Sequence, residues 1–314
     1  MLARVADNLF WMGRYIERTE HIARYLNVNY FSSLDAPDPR SQSKDFVLRS
    51  MMSMAGINPQ EETKLKQQEV LYQLGLDPET PISIINAVRN ARENALSARD
   101  LISTELYEAI NKFYHYVNDY PPKTFMKTGL FDFTTHNTEM TAIIRAKMRG
   151  TLFHDSIYAI IMMGVNLERA IQITRIIQTK FLDAELSTHD DPEGFRTSYE
   201  WTTLLKCAES YDMMRRLYKK QPTSLSTLEF LILNPNCPRS VMNSLNQVYR
   251  HVCHLDPSRI KNKASAAFMV GKTRAAYQFM KVEEIESDTG GFIEGILSEL
   301  SDIGFHLEKE FFSY

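Results

Sequence analysis

One segment occurs twice in the chain, and this repetition constrains the fold more than any other feature. Residues 10–26 are FWMGRYIERTEHIARYL, and residues 161–177 are IMMGVNLERAIQITRII. Five residues recur at an offset of 151: Gly13, Glu17, Arg18, Ile22 and Arg24 correspond to Gly164, Glu168, Arg169, Ile173 and Arg175. Apolar residues recur every three or four positions in both copies, which is the period of a helix with one buried face. The repetition predicts an internal duplication of helical units.

A second pair of blocks supports the duplication. Residues 74–88 are LGLDPETPISIINAV, and residues 231–245 are LILNPNCPRSVMNSL, at an offset of 157. Each block has Asp or Asn directly before a proline and a second proline three residues later. An Asx residue suits a helix N-cap or turn, and proline is well tolerated in the first turn of a helix. Each block is therefore predicted to form a corner between two helices.

The fold class follows from these patterns together with the scarcity of helix breakers. Only 12 Gly and 12 Pro occur in 314 residues, and alternating patterns of β-branched residues are nearly absent. We predict an all-α helical bundle of about ten helices, made of two duplicated, pseudo-symmetric halves. The first repeat is residues 1–120, and the second is residues 140–314. Residues 121–139, which show no steady apolar period, connect them in one compact unit. Irregular linkers are expected at 32–43 and 183–194.

Composition excludes several functional classes. The net charge is −3, so we expect no nucleic-acid partner. No apolar run approaches the roughly 20 residues that a membrane span requires, and the charged N-terminus does not resemble a signal peptide. Three cysteines without paired spacing favour a reducing compartment. The sequence thus predicts a soluble, cytoplasmic protein without a membrane partner.

The duplicated Glu-Arg pairs are the main candidate site residues: Glu17, Arg18, Glu168 and Arg169. Neighbouring residues on a helix point about 100° apart, so Glu17 and Arg18 must each find a partner elsewhere. If a pseudo-two-fold axis relates the halves, Glu17 meets Arg169 or Arg175, and Glu168 meets Arg18 or Arg24. Such buried, bidentate pairs would fix the register between the copies.

A functional interpretation of the same residues stays open. The arginines, together with Arg14, Arg24, Arg175, His21 and Lys180, would bind a carboxylate or a phosphate, while Glu17 or Glu168 transfers protons. His251, Cys253 and His254 lack the further ligands that a metal site needs. We expect no metal and no cofactor.

The opening residues MLARVADNLFWMGRYIERTEHIARYL resemble those of the bacterial alpha-E domain family, whose hallmark is a Glu-Arg motif in a long N-terminal helix. The segments at 90–103 (NARENALSARDLIS) and 236–240 (NCPRS), and the second Glu-Arg pair, also resemble that family. The resemblance implies a helical protein without an established activity. It also exposes one departure, because the Gly13-Arg14 pair before the first motif becomes Gly164-Val165 before the second.

The resemblance also implies partners. Members of the family tend to be encoded beside, or fused to, a protein similar to ATP-grasp peptide ligases, often with a transglutaminase-like protease. We therefore expect a non-catalytic scaffold or accessory subunit of a peptide or amide ligase system. The alternative is an enzyme of that pathway, with a Glu/Arg site between the repeats acting on a carboxylate- or phosphate-bearing substrate. The oligomeric state is left open.

Overall fold

The structure, a computed structural model, describes residues 2–32, 44–60, 63–188, 195–286 and 288–312. Every regular element in these ranges is helical, so the predicted all-α class is confirmed. Most of the two predicted linkers, at 33–43 and 189–194, lies outside the described residues. Residues 183–188, which were expected to be irregular, instead continue a long helix.

The helices fall into two series along the chain. Up to Thr151 they are α1 (Ala3–Ser32), α2 (Lys44–Met54), α3 (Gln67–Gly75), α4 (Ile84–Ser97), α5 (Thr104–Asn118) and α6 (Leu130–Thr151). After it they are α7 (Ser156–Thr188), α8 (Phe195–Cys207), α9 (Tyr211–Tyr218), α10 (Ser224–Leu228), α11 (Val241–Leu255), α12 (Ala266–Gln278), α13 (Val282–Glu286) and α14 (Thr289–Leu307). The described residues thus form 14 such helices, more than the expected ten, because α3, α9, α10 and α13 are too short to show a helical period.

Residues 121–139 are more regular than predicted. Pro122–Thr124 form a helical turn, Phe125–Gly129 form a π-helical turn, and α6 begins directly afterwards at Leu130. Phe125 and Phe133 are fully buried, so apolar burial organises this stretch although no steady period marks it. The helix α6 packs against α1 and α5 and is therefore part of the bundle. The division at residues 121–139 into two repeats stays a prediction.

The two corners predicted between helices are confirmed, and they are built alike. Ser83 caps α4 by accepting a hydrogen bond from the Asn86 amide, and Ser240 caps α11 by accepting one from the Asn243 amide. The Asn86 side chain donates to the Pro78 carbonyl at 2.8 Å. The Asn243 side chain donates to the Pro235 carbonyl, also at 2.8 Å. The repeated Pro and Asn residues thus fix the turn that enters each helix.

Helices α1 and α7 form the centre of the molecule. Helix α1 packs against α4, α6 and α7, whereas α7 packs against α1, α11 and α14. Gly13 and Gly164 mark the place where the two helices cross. A Cβ added at Gly13 would lie under 3.0 Å from the Ile161 carbonyl, and one added at Gly164 would lie equally close to the Phe10 carbonyl. Only glycine lets the two backbones approach this closely.

None of the described helices has both the length and the apolar character that crossing a bilayer requires.

Candidate functional site

The duplicated Glu-Arg pairs meet across the crossing of α1 and α7. Each glutamate lies one helical turn after the glycine at the crossing. Arg169 donates to both carboxylate oxygens of Glu17, from Nε at 2.6 Å and from Nη2 at 2.9 Å. Arg18 does the same to Glu168, from Nε at 2.7 Å and from Nη2 at 3.1 Å. Of the partners that the sequence left open, the structure selects Arg169 for Glu17 and Arg18 for Glu168.

The first carboxylate belongs to a large ionic cluster, which we call the Glu17 centre. Its members come from five parts of the chain and include three glutamates and four arginines: Glu17, Glu20, Arg24, Arg145, Arg169, Glu209 and Arg239. Glu17 also contacts Arg239 Nη1 at 3.2 Å and the His21 ring at 3.2 Å. With its side chain 0% exposed, Glu17 has no access to solvent.

Glu20 is the second buried carboxylate of the Glu17 centre. It accepts a hydrogen bond from Arg239 Nη2 at 2.7 Å and pairs with Arg24 and Arg145. Glu209 lies at the rim, with its side chain 59% exposed, and pairs with Arg24 at 2.9 Å and with Arg239. The cluster therefore links α1 to α6, α7, the residues after α8 and the corner before α11.

The second carboxylate has a smaller environment, the Glu168 centre, formed by Glu168, Arg14, Arg18 and Gln172. Arg14 Nε donates to Glu168 at 2.8 Å, and Gln172 Nε2 donates at 2.9 Å. The Arg14 guanidinium also lies 4.3 Å from the centre of the Trp11 ring, a cation–π contact. These partners of Glu168 lie on α1 and α7.

The surrounding charges decide the protonation of both carboxylates. Burial would raise the pKa of Glu17, but Arg169, His21 and Arg239 outweigh it and lower the pKa well below the usual value. Burial likewise opposes Arg18 and Arg14 at Glu168, whose pKa is also lowered. Both carboxylates are thus anions, and the side chains of both are 0% exposed. A general base must reach the proton that it removes.

Burial also affects the other titratable groups of the Glu17 centre. It lowers the pKa of His21 to about 4, against the opposing effect of Glu17. Among the described residues the buried His21 Nδ1 atom has no hydrogen-bond partner, whereas Nε2 faces Glu17, which identifies the neutral ring with the proton on Nε2. Burial and the neighbouring Arg239 lower the pKa of Arg24 to about 9. Desolvation is therefore severe throughout this cluster.

Two residues grouped with this site from the sequence lie elsewhere. Arg175 packs against Gly56, where a Cβ would lie 3.3 Å from its Nη1 atom. Lys180 forms a separate buried cluster, in which it contacts Asp183 at 2.9 Å and Glu200 at 3.0 Å. The sequence-based grouping of Lys180 with the Glu-Arg pairs was therefore wrong. Helix α7 is long enough that residues two or three turns past Arg169 face other neighbours.

Four members of the Glu17 centre were missed from the sequence: Glu20, Arg145, Glu209 and Arg239. Arg239 lies inside the second repeated corner, and its place in a repeated block could have marked it as a candidate. Its counterpart at the offset of 157 is Ile82, so the repeat itself pointed away from a charged role. Arg145 belongs to no repeated block, and only the packing of α6 against α1 brings it to Glu20.

His251, Cys253 and His254 lie on α11 beside a cavity. Within the ranges that the structure describes, no three His, Cys, Asp or Glu residues are grouped so that they would hold a metal ion. Gly271, which begins a short sequence similar to the end of a phosphate loop, lies inside α12 against the Tyr249 ring.

The structure is thus that of an all-α protein whose two long central helices each carry a Glu-Arg motif. The chain belongs to the Alpha-E family, described as a predicted alpha-helical domain with a conserved ER motif, and the family match covers residues 1–312. The resemblance seen in the sequence is thereby confirmed.

The curated relatives of the chain are longer than the region that matches it. The chain is 23% identical over 323 aligned residues to an uncharacterized protein of Mycobacterium bovis and to uncharacterized proteins of Mycobacterium tuberculosis. The match covers 96% of this chain but 35% of each relative, so the chain spans about a third of their length. No solved structure shows significant similarity to the chain.

Proposed function

We propose that the protein is a non-catalytic helical scaffold, an accessory subunit of an ATP-grasp-type peptide or amide ligase system. The observation that carries this proposal is the state of the two motif carboxylates. Glu17 and Glu168 are 0% exposed, and each is occupied by a bidentate arginine and further donors. Buried ion pairs of this kind are suited to fixing the register of the helices, which is a structural role.

We further propose that the chain is a duplication of two pseudo-symmetric halves. Reciprocal contacts support it, because Gly13 faces Ile161 as Gly164 faces Phe10, and both offsets are 151. The packing of α1 on α4 and α6 is matched by the packing of α7 on α11 and α14. A duplicated bundle presents two related outer surfaces for partners.

The length of the relatives supports an accessory role. Because the matched unit makes up 35% of those chains, it occurs there covalently joined to additional sequence. A unit that works beside a catalytic domain is equally compatible with fusion and with separate chains that associate. The proposal includes an ATP-grasp partner and a transglutaminase-like protease because the family resemblance implies them.

Co-purification tests the scaffold directly. Co-expression of this chain with an ATP-grasp ligase-like protein of the same organism should give one complex in size-exclusion chromatography, and adding the chain should change ligase turnover. Separate elution together with unchanged turnover would refute the proposal. A tagged chain carrying Gly164→Ala, which disturbs the helix crossing, is the matched control for dependence on the fold.

One observation favours a second candidate, an enzyme of the same pathway with a Glu/Arg site between the repeats. Arg169 contacts Glu17 and also lines a cavity that opens to the surface. On this alternative, Glu17→Gln abolishes activity and leaves thermal stability unchanged. On the scaffold proposal the same substitution lowers the melting temperature strongly, so measuring both quantities on one variant separates the two functions.

A further inference from the structure

A cavity of about 620 Å³ lies between the first turns of α7, helix α11 and the loop that follows α6. Pockets of roughly 300–1,000 Å³ are the usual size for small-molecule sites. Among the residues proposed from the Glu-Arg motif, only Arg169 lines this cavity. The cavity therefore needs its own explanation, separate from the two ionic centres.

The rim of the cavity carries unpaired positive charge. Arg149, in the last turn of α6, and Arg250, on α11, both line it and are exposed. Neither guanidinium has an ion-pair or hydrogen-bond partner among the described residues. Asp155 is the acidic side chain among the described lining residues, and its Oδ1 atom accepts a hydrogen bond from the Ile157 amide at 2.9 Å. The rim thus has an excess of positive charge.

The floor of the cavity offers buried donors. Arg169, 7% exposed, uses Nε and Nη2 to bind Glu17. Its Nη1 atom has no acceptor within the part of the chain that the structure describes, and Arg169 lines the cavity. Glu17 thereby fixes the guanidinium with one N–H edge directed away from the carboxylate. A donor held in this way costs little conformational entropy when it binds a ligand.

The histidines of the cavity indicate the same polarity. His251 is 9% exposed and lies 5.7 Å from the Tyr158 ring, which His154 stacks on at 4.1 Å. Burial, followed by the neighbouring Arg250, His254 and His154, lowers the pKa of His251 to about 4. Arg250 places a positive charge beside His251, whose neutral imidazole is available as a hydrogen-bond donor to a ligand in the cavity.

We infer that this cavity binds a phosphate-bearing small molecule, whose phosphate is held by Arg149, Arg169 and Arg250. Guanidinium groups form paired, charge-assisted hydrogen bonds to phosphate oxygens, and three from different directions suit a tetrahedral dianion better than a planar carboxylate. The offset of 157 places Glu93 and Asn94 where the second half has Arg250 and His251. Arg250 and His251 therefore have no equivalent at the matching positions of the first copy, and the site does not depend on the scaffold proposal.

Isothermal titration calorimetry of the isolated chain with pyrophosphate and with inorganic phosphate tests the inference. The double variant Arg149→Gln, Arg250→Gln should weaken pyrophosphate binding about tenfold or more, because two charge-assisted contacts are lost. Both residues are exposed, so its melting temperature should stay that of the wild type. The control double variant Arg4→Gln, Arg216→Gln removes the same charge at exposed positions away from the cavity and should bind like the wild type.

Three results would overturn the inference. The first is no heat of binding for either phosphate compound at millimolar concentration. The second is equal affinity of the wild type and the Arg149/Arg250 double variant. The third is binding of citrate as tight as that of pyrophosphate, which would show an unspecific anion site. A His251→Asn variant, which introduces the residue found in the first half, should also reduce the affinity and provides an independent check.

Discussion

The Glu17 centre and the Glu168 centre have the same ion pair at their core but very different surroundings. In both, an arginine from the facing helix binds a fully buried glutamate through Nε and Nη2. Around Glu168 the remaining donors, Arg14 and Gln172, come from the same two helices. Around Glu17 they are His21 of α1 and Arg239 from the corner before α11, and Arg145 of α6 adds an ion pair at 3.8 Å. The Glu168 pair thus holds α1 and α7 together at their crossing. The Glu17 pair also connects more distant parts of the chain to that crossing.

The difference in burial predicts unequal costs for removing the two charges. The side chains of Arg169 and Arg239 are 8% and 10% exposed, whereas those of Arg14 and Arg18 are 12% and 17% exposed. Glu17→Gln should lower the free energy of unfolding by about 3–5 kcal/mol, because it leaves the buried Arg169 guanidinium without its counter-charge and removes one of the carboxylates that Arg239 contacts. Glu168→Gln should cost about 2–3 kcal/mol.

Urea denaturation of the wild type and the two variants measures both values. An equal or smaller loss in the Glu17→Gln variant would contradict the asymmetry between the centres. If neither variant lost stability, the buried pairs would not be structural, and the enzyme alternative would gain support.

The sequence predicted the shared part of the two centres but not the part in which they differ. The duplicated Glu and Arg residues reduced the possible partners of each carboxylate to two arginines. Selecting Arg169 over Arg175 required the axial position of the crossing, which Gly13 and Gly164 set one turn before each glutamate. Arg145 and Arg239 were not predictable, since their approach depends on how α6 and a loop pack against α1. Charged residues outside a repeated pattern give no local signal of that packing.

The same distinction applies to the fold, because features that are local in sequence were predicted and features that depend on tertiary packing were not. Helical period and the repeated corners identified α1, α4, α7 and α11 because burial on one face and proline turns are local in sequence. Residues 121–139 are more regular than predicted, because Phe125 and Phe133 are buried although the sequence around them shows no steady apolar period. The short helices depend on tertiary contacts for the same reason.

A substitution at the helix crossing tests whether both centres depend on one backbone contact. Gly164→Ala should cost about 1–3 kcal/mol, because the added methyl group meets the Phe10 carbonyl and the helices must separate. Gly150→Ala is the matched control on α6, since a methyl group added there would meet no neighbouring element within 4 Å, and it should change stability by at most about 1 kcal/mol. Thermal unfolding measures both. A Gly164→Ala variant as stable as the control would show that the crossing tolerates a wider separation.

The two centres also differ at one titratable position, where His21 in the first corresponds to Gln172 in the second. Because the folded-state pKa of His21 is lowered from 6.5 to about 4, the unfolded state binds a proton first as the pH falls. Stability is therefore unaffected by His21 above pH 6.5 and decreases between pH 6.5 and pH 4. His21→Gln should reduce the stability lost between pH 7 and pH 5 by about 1–2 kcal/mol.

Urea titrations at pH 7, 6 and 5 measure this slope. The lowered pKa values of Glu17 and Glu168 place their own losses below their usual value of 4.5, outside the range used. His115→Gln is the control, since it removes an imidazole that is exposed on α5. The same slope in the wild type and in His21→Gln would mean that His21 is protonated in the folded protein.

The smallest expected effect is at the rim of the Glu17 centre. Glu209 binds Arg24 and Arg239 as Glu20 does, but its side chain is 59% exposed whereas that of Glu20 is 1% exposed. Solvent screens a pair in this position, so Glu209→Gln should cost at most about 1 kcal/mol, while Glu20→Gln should approach the loss expected for Glu17→Gln. Urea denaturation at low and high salt separates the two, because added salt should reduce the cost at Glu209 alone. A Glu209→Gln variant as unstable as Glu20→Gln would show that the charge balance of the whole cluster, rather than the burial of each carboxylate, determines its contribution.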